Sequence, residues 1–225
     1  AEHGVGITTD NRAVLAQCDL ILIAVKPQNF QELFEQTGGA FNANHQLISV
    51  AAGVSCKSIE DAVGNEIAVV RAMPNTPALV GQGMTAYCLG KYANESHAEL
   101  SARLFSTVGP AVQVDESSMD AVTAVSGSGP AYAFLLAEAM LSGATKLGLS
   151  EELSRTLVTQ TLLGAATLLA QSGETPTTLR QNVTSPNGTT AAALDVLKDG
   201  QFEALMEGAM KAAADRAEAL GKESP

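Results

Sequence analysis

The chain has 225 residues, and 24 acidic against 13 basic side chains give it a formal net charge of −11 at pH 7. A hydrophobic fraction of 46% with only 16% charged residues is typical of a packed globular protein and excludes a disordered one. The acidic balance without a Lys/Arg cluster argues against nucleic-acid binding, and no apolar run approaches the ~20 residues of a membrane span. The length is enough for two small domains.

Short β-rich runs alternate with helical patterns over the first 115 residues. Three nearly all-apolar runs have the pattern of parallel strands covered on both faces. They lie at residues 20–25, 47–52 and 67–72, with helical pieces at 30–36 and 55–63 between them. Two further strands, at 84–89 and 111–114, flank a helix predicted over residues 95–108. This pattern predicts an α/β region that ends near Asp115.

After Glu116 the composition shifts to Ala, Leu and Met, which predicts an all-α region of about five helices. The second of these begins after Ser150 as N-cap, ends at Gly173, and has an apolar surface wide enough to predict burial on more than one side. A monomeric bundle or an intertwined dimer would bury it, and we favour the dimer. We therefore predict two domains, residues 1–115 and 116–225.

The cysteines and histidines show no ligand or nucleophile spacing. Cys18, Cys56 and Cys88 are far apart and lie in or beside apolar stretches. We expect three buried thiols in a cytoplasmic protein, with neither a disulfide framework nor a metal site. The three histidines are expected at the surface or in loops.

The first candidate site follows the strands, because ligands of open parallel sheets bind beyond the carboxyl ends of the strands. The first predicted strand runs into Lys26 and Pro27, the second into Gly53, and the third into the segment 73–77. On spacing alone, Lys26 is more often a solvated loop cation, and residues 73–77 are more often an ordinary proline-rich turn.

The second candidate is the segment 182–190, which ends one helix, turns at Pro-Asn-Gly and enters another. Free N–H groups of Gly188, Thr189 and Thr190 at a helix start would bind a small carboxylate. The alternative is that Thr189 or Thr190 merely caps the helix. A third glycine-containing segment, 126–132, lacks the dinucleotide-loop spacing and is better explained as a tight backbone crossing.

Five segments, taken in order, resemble pyrroline-5-carboxylate reductase, the enzyme of the last step of proline synthesis. They are AVKP at 24–27, SVAAGV at 49–54, RAMPNTP at 71–77, AVSGSGPAY at 124–132, and the whole of 182–190. The resemblance implies a Rossmann-type lobe followed by a helical lobe that interlocks with its twofold mate, often in a ring of dimers. It also implies hydride transfer from NADPH, or NADH, to the cyclic imine 1-pyrroline-5-carboxylate.

The resemblance further implies roles for individual residues. Residues along the cofactor would be Asn11, Ala24, Val25, Lys26, Pro27, Val50, Ala51, Ala52 and Asn182, the last between cofactor and substrate. Residues around the substrate carboxylate and ring would be Val183, Ser185, Gly188, Thr189 and Thr190. Glu116 and Thr123 would lie near the ring nitrogen. Thr190 is the candidate for hydrogen-bonding or protonating that nitrogen, and Glu116 is the second catalytic candidate.

The sequence departs from the family pattern at its start. The family opens with a strand, a G-x-G-x-x-G turn and a helix that hold the pyrophosphate, and these 225 residues contain none of them. If the molecule consists of these residues alone, we expect a truncated cofactor lobe, and the alternative function is a catalytically inert helical dimerisation fragment. A related imine or β-hydroxyacid reductase is a third interpretation. Asn187 stands where the family often has glycine, and asparagine tolerates the left-handed conformation.

Overall fold

The computed structural model describes residues 4–64 and 66–223. The chain divides into two compact units. One unit comprises Ala1–Pro130 together with Met210–Pro225, and the other comprises Ala131–Ala209. None of the described helices is both long and apolar enough to cross a lipid bilayer.

Five described strands form one sheet in the first unit. They are β1 Leu20–Ile23, β2 Gln46–Ser49, β3 Ala68–Pro74, β4 Thr85–Leu89 and β5 Ala111–Gln113, in the spatial order β1-β2-β3-β4-β5. The sheet is mostly parallel, as predicted, but β4 runs antiparallel to β3. The connection at residues 75–84 is too short for a crossover, because a parallel return needs a dozen or more residues.

Four described helices flank this sheet, namely α1 Asn11–Leu15, α2 Phe30–Thr37, α3 Cys56–Val63 and α4 Glu95–Ser106. Alternate side chains of β2 enter two separate apolar clusters, since Leu47 belongs to one and Ile48 to the other. Both residues are 0% exposed. The sheet is therefore covered on both faces, which explains why its strands are nearly all apolar.

Residues 116–146 form a succession of helical turns. A 3₁₀ turn at Glu116–Ser118 leads into α5 Met119–Val122, a π-helical turn at Thr123–Gly127, and α6 Gly129–Lys146. The segment predicted as a tight backbone crossing therefore overlaps a π turn, closed by the Ser128 N–H donating to the Thr123 carbonyl at 2.8 Å. A Cβ at Gly127 would lie 2.5 Å from Cε of Met73, so glycine lets this turn approach the end of β3.

Four further helices follow, α7 Glu151–Ser172, α8 Pro176–Asn182, α9 Thr189–Asp199 and α10 Phe202–Glu223. Ser150 caps α7 by accepting a hydrogen bond from the Leu153 N–H, and Gly173 ends it in the left-handed conformation, as predicted. The predicted burial of α7 on several sides is not met within a single chain, where Ser154 and Val158 are the buried residues of its described length. Leu163 is 58% exposed.

One expectation about a single residue is wrong. Cys18 is exposed, whereas Cys56 and Cys88 are buried as predicted. His3 lies outside the described residues. His45 lies in a loop, as expected, but it is buried, with 2% of its surface exposed. Its Nε2 lies 3.0 Å from the Leu15 carbonyl, because the loop before β2 folds over the end of α1. Chain spacing could not show this contact, which joins residues 30 positions apart.

Candidate active site

The carboxyl ends of β1 and β2 lie side by side in the first unit. Ile23 pairs with Ser49, and the Val50 N–H donates to the Ile23 carbonyl at 3.1 Å. The residues that follow are small or moderate in size: Ala24 is exposed, Val25, Val50 and Ala52 are half-buried, and Ala51 is buried. These small side chains leave the backbone at the strand ends open to a flat ring.

Asn11 shares a cavity with the end of β1. Together with Ala24 and Val25 it lines a space of about 230 Å³, and its amide donates to Gln36 at 3.0 Å. Lys26 is exposed, and Pro27 begins a 3₁₀ turn directly after it. The structure therefore brings the N-terminal cofactor candidates together around one strand end.

The proline-rich segment after β3 is held to the π turn by Asn75. Its side-chain amide donates to the Ser126 carbonyl at 3.1 Å, and its Oδ1 accepts from the Met84 N–H at 2.9 Å. Ser126 Oγ is buried without a hydrogen-bond partner in the described part of the chain. Asn75 thus fixes the third strand end against the start of the helical region.

Glu116 is held in the first unit by a hydrogen bond from a backbone amide and by an ion pair with a buried arginine. The Cys56 N–H, at the start of α3, donates to its Oε1 at 2.7 Å. Nη1 of Arg71 lies 3.6 Å from the same oxygen, and Nη2 of Arg71 lies 3.2 Å from Oδ1 of Asp120. The Arg71 side chain is 7% exposed, whereas both carboxylates are about a third exposed. Arg71 therefore orients Glu116 from within the core.

Thr123, the other residue expected near the ring nitrogen, is buried in the π turn. Its hydroxyl donates to the Met119 carbonyl at 2.8 Å. A substrate would have to use the acceptor side of this hydroxyl, because its proton is already committed.

Two cysteines that are far apart in the sequence lie next to each other beside Glu116. The Sγ atoms of Cys56 and Cys88 are 4.0 Å apart. The hydrogen bond with Cys88 and burial raise the pKa of the Cys56 thiol well above its usual range, so this thiol is protonated at neutral pH. One sequence signal could have predicted a polar cluster here. Arg71 is a cation inside an otherwise apolar strand, and a buried cation requires buried polar partners.

The segment 182–190 forms a separate cradle in the second unit. Asn182 ends α8, and Gly188 is the N-cap of α9 with no side-chain cap. The alternative that Thr189 or Thr190 caps the helix is therefore wrong. The Gly188 N–H, expected to be free, donates to the Ser185 carbonyl at 3.0 Å. Helix geometry leaves the Thr189 and Thr190 N–H groups without intrahelical partners.

Two glycine-related features shape this cradle. A Cβ at Gly188 would collide with Oγ of Ser185, so glycine permits the close turn. Asn187 has φ of +57°, in the left-handed region, as predicted. Val183 is 65% exposed, and neither Thr189 nor Thr190 has a side-chain hydrogen bond to any described residue. The turn therefore presents two N–H groups and two hydroxyls for an anionic ligand.

Known proteins match both parts of the chain. The family model for pyrroline-5-carboxylate reductase dimerisation matches residues 116–220, and the model for NADP oxidoreductase, coenzyme F420-dependent, matches residues 1–53. Pyrroline-5-carboxylate reductase of Pseudomonas aeruginosa is 41% identical over 223 residues, covering 99% of this chain and 82% of that protein. The chain belongs to the pyrroline-5-carboxylate reductase family.

Solved structures of this family share the fold. Plasmodium falciparum pyrroline carboxylate reductase with NADP bound aligns with a TM-score of 0.90 and 34% identity, over 95% of this chain and 81% of that one. Pyrroline-5-carboxylate reductase of Coxiella burnetii aligns with a TM-score of 0.89 and 37% identity, over 97% and 82%. These likenesses confirm a Rossmann-like α/β region followed by a helical dimerisation region.

Proposed function

We propose that the chain reduces 1-pyrroline-5-carboxylate to L-proline with a nicotinamide cofactor. The observation that carries the proposal is the start of α9, where a glycine cap leaves the N–H groups and hydroxyls of Thr189 and Thr190 available for the carboxylate of a small imino acid. Membership of the pyrroline-5-carboxylate reductase family supports the choice of substrate. Residues 1–115 would then form the cofactor domain, and residues 116–225 the substrate-binding and dimerisation domain.

The strand ends fit the nicotinamide half of the cofactor. A flat ring can approach the backbone closely there, because Ala24, Ala51 and Ala52 are small and follow two paired parallel strands. Asn11, Val25, Lys26, Pro27, Val50 and Asn182 are the other residues proposed to contact it. The cofactor supplies a hydride for the imine carbon when it is bound. We propose NADPH as the preferred donor, supported by the NADP found in the Plasmodium falciparum relative, with NADH also used.

We propose that the protein contributes to catalysis in two ways: it positions the substrate, and it controls the proton on the ring nitrogen. The cradle formed by Val183, Ser185, Gly188, Thr189 and Thr190 fixes the carboxylate and so presents one face of the ring. Thr190, at the second position of α9, is the residue that we propose to hydrogen-bond or protonate the ring nitrogen. Glu116, held by Arg71, and Thr123 provide acceptor oxygens for a protonated imine. The protonated imine carbon is the better hydride acceptor.

We also propose that the protein acts as a homodimer, extending to a ring of dimers. The helical unit exposes large apolar side chains, among them Phe134 at 62%, Leu135 at 65% and Leu163 at 58%. Such a surface is typical of an obligate interface, and the dimerisation model that matches residues 116–220 supports a second copy as the occupant.

We propose a cytoplasmic location, supported by the adjacent but free thiols of Cys56 and Cys88.

The test is NADPH-dependent reduction of 1-pyrroline-5-carboxylate by the purified chain and its variants. Thr190→Val should lower kcat/KM by about 10- to 100-fold, because it removes one hydrogen bond made in the transition state. Thr190→Ser should restore most of the activity. Thr156→Val is the matched control, because that exposed hydroxyl bonds to the Glu152 carbonyl within its own helix. An unchanged kcat/KM in Thr190→Val would remove Thr190 from the mechanism.

The same assay separates the alternative functions. A stable dimer that turns over neither NADPH nor NADH would favour the catalytically inert dimerisation fragment. Preference for an acyclic imine or a β-hydroxyacid over the cyclic imino acid would favour a related reductase. The ratio of kcat/KM values for NADPH and NADH measures the cofactor preference directly.

A further inference from the structure

Two buried thiols and a carboxylate meet beside a cleft of the first unit. The Sγ atoms of Cys56 and Cys88 are 4.0 Å apart, and a carboxylate oxygen of Glu116 lies within 4.8 Å of both. Cys56 and Glu116 line an open cleft of about 680 Å³, which connects the group to solvent. We propose that Cys56, Cys88 and Glu116 bind a thiophilic divalent cation of the Zn²⁺ class.

The sulfur spacing suits a pair of thiolate ligands on one metal. Zn–S bonds of about 2.3 Å at a tetrahedral angle place two sulfurs about 3.8 Å apart, close to the 4.0 Å observed. Regular elements hold both cysteines, because Cys56 is the first residue of α3 and Cys88 lies within β4. Each is 1% exposed. The pair therefore needs only a small movement to close on a cation.

The charge around the thiols favours a divalent ion over a monovalent one. Arg71, Glu116 and Asp120 together carry a net charge of −1 beside the two thiols. Replacing two thiol protons with one divalent cation leaves that net charge unchanged, whereas a monovalent cation would make it one unit more negative. A new uncompensated charge near the core is costly.

Glu116 and the cleft complete the coordination. The Glu116 side chain is 35% exposed and can turn its carboxylate toward the sulfurs. Water from the cleft fills the fourth position, as in zinc sites with three protein ligands. The cleft is also lined by three further carboxylates, Glu60, Asp61 and Glu66, against two lysines. This excess of negative charge draws cations toward the thiols.

When the cation binds, it replaces the two thiol protons, and no atom changes its oxidation state. The cation displaces the thiol protons of Cys56 and Cys88, which pass to solvent, and two S–metal bonds form. A Glu116 side chain bound to the metal leaves Arg71, so metal occupancy and turnover would exclude each other. That consequence rests on the proposed function, whereas the binding itself does not.

Titration of the reduced full chain with Cd²⁺, followed through the ultraviolet thiolate-to-cadmium charge-transfer band, tests the proposal. We expect one Cd²⁺ per chain and loss of the band when Zn²⁺ competes. Cys56→Ala and Cys88→Ala should each weaken binding more than about 100-fold, because even an outer partner of a metal ligand contributes about 10- to 100-fold. Cys18→Ser is the matched control, since it removes an exposed thiol.

The absence of a charge-transfer band at millimolar Cd²⁺ would overturn the proposal, and so would a band that survives in Cys88→Ala but disappears in Cys18→Ser. Glu116→Gln should keep the band with lower affinity. Circular dichroism checks that each variant is folded. Should the alanine variants unfold, the number of protons that the parent chain releases when it binds Zn²⁺, expected to be two, gives the same decision. These readouts do not depend on turnover, so they can succeed when the Thr190 test fails.

Discussion

Arg71 is a buried cation on β3, and its replacement by methionine should destabilise the protein strongly. The methionine keeps the length and the apolar stem of the side chain but leaves Glu116 and Asp120 without the guanidinium that lies 3.6 and 3.2 Å from them. Removing one partner of a fully buried ion pair costs about 3–5 kcal/mol. Because these carboxylates are about a third exposed and keep some hydration, we expect a loss of about 2–3 kcal/mol.

Arg155 provides a matched control. Its Nη2 lies 3.2 Å from Oε1 of Glu151, the same distance as in the Arg71–Asp120 pair, but the two side chains are 72% and 84% exposed. Arg155→Met should therefore cost less than about 0.5 kcal/mol. Arg71→Lys should fall between the two variants, because an ammonium group keeps the charge without the fork that reaches two carboxylates.

Urea unfolding at one fixed protein concentration, followed by circular dichroism, measures these differences. Fixed concentration matters because association contributes to the apparent stability. The dependence of the unfolding free energy on urea should stay constant among the variants, so that midpoint shifts report stability. A loss in Arg71→Met within about 0.5 kcal/mol of that in Arg155→Met would refute the idea that burial makes the Arg71 contacts important.

Two further predictions concern packing and pH. Gly53→Ala should cost about 2–5 kcal/mol in urea unfolding, because φ is +80° and a Cβ would lie 2.8 Å from the Gly221 amide nitrogen. Gly64→Ala, with φ of +67° and open space around its Cβ, should cost only about 1–2 kcal/mol, and equal losses would contradict the close packing. Burial, with a smaller contribution from Glu95, raises the pKa of Tyr87 above its usual 10, so stability present below that pH is lost as pH rises past it. The loss begins near pH 10, where the tyrosine of the unfolded chain starts to ionise; Tyr87→Phe should reduce it and Tyr92→Phe should not.

Local signals in the sequence were sufficient to predict most of the helices and strands. Ser150 and Gly173 mark the ends of α7 because a side-chain oxygen and a left-handed glycine satisfy terminal backbone groups. Ser55 and Gly64 do the same for α3. Short apolar runs identified all five described strands, since strands covered on both faces cannot carry many polar residues. These features depend on neighbours within a few residues, which a sequence pattern shows directly.

Local sequence signals predicted the candidate site only in part. The Pro-Asn-Gly turn before α9 predicted a helix start with free amides, but the sequence could not decide between a threonine cap and the observed Gly188 cap. The roles of Glu116 and Thr123 came from family resemblance, and the structure adds that Arg71 holds Glu116 and that the Thr123 hydroxyl is committed to Met119.

The sequence by itself determined the order of helices and strands, the change from α/β to all-α near Glu116, and the family. Only the tertiary structure decided that β4 reverses against β3, that Arg71 faces two carboxylates, and that Cys56 meets Cys88. The contacts of Arg71 and of the two cysteines join residues 32 to 49 positions apart. Periodicity and capping act over a few residues, whereas such contacts depend on which strands pair and on how the whole core packs.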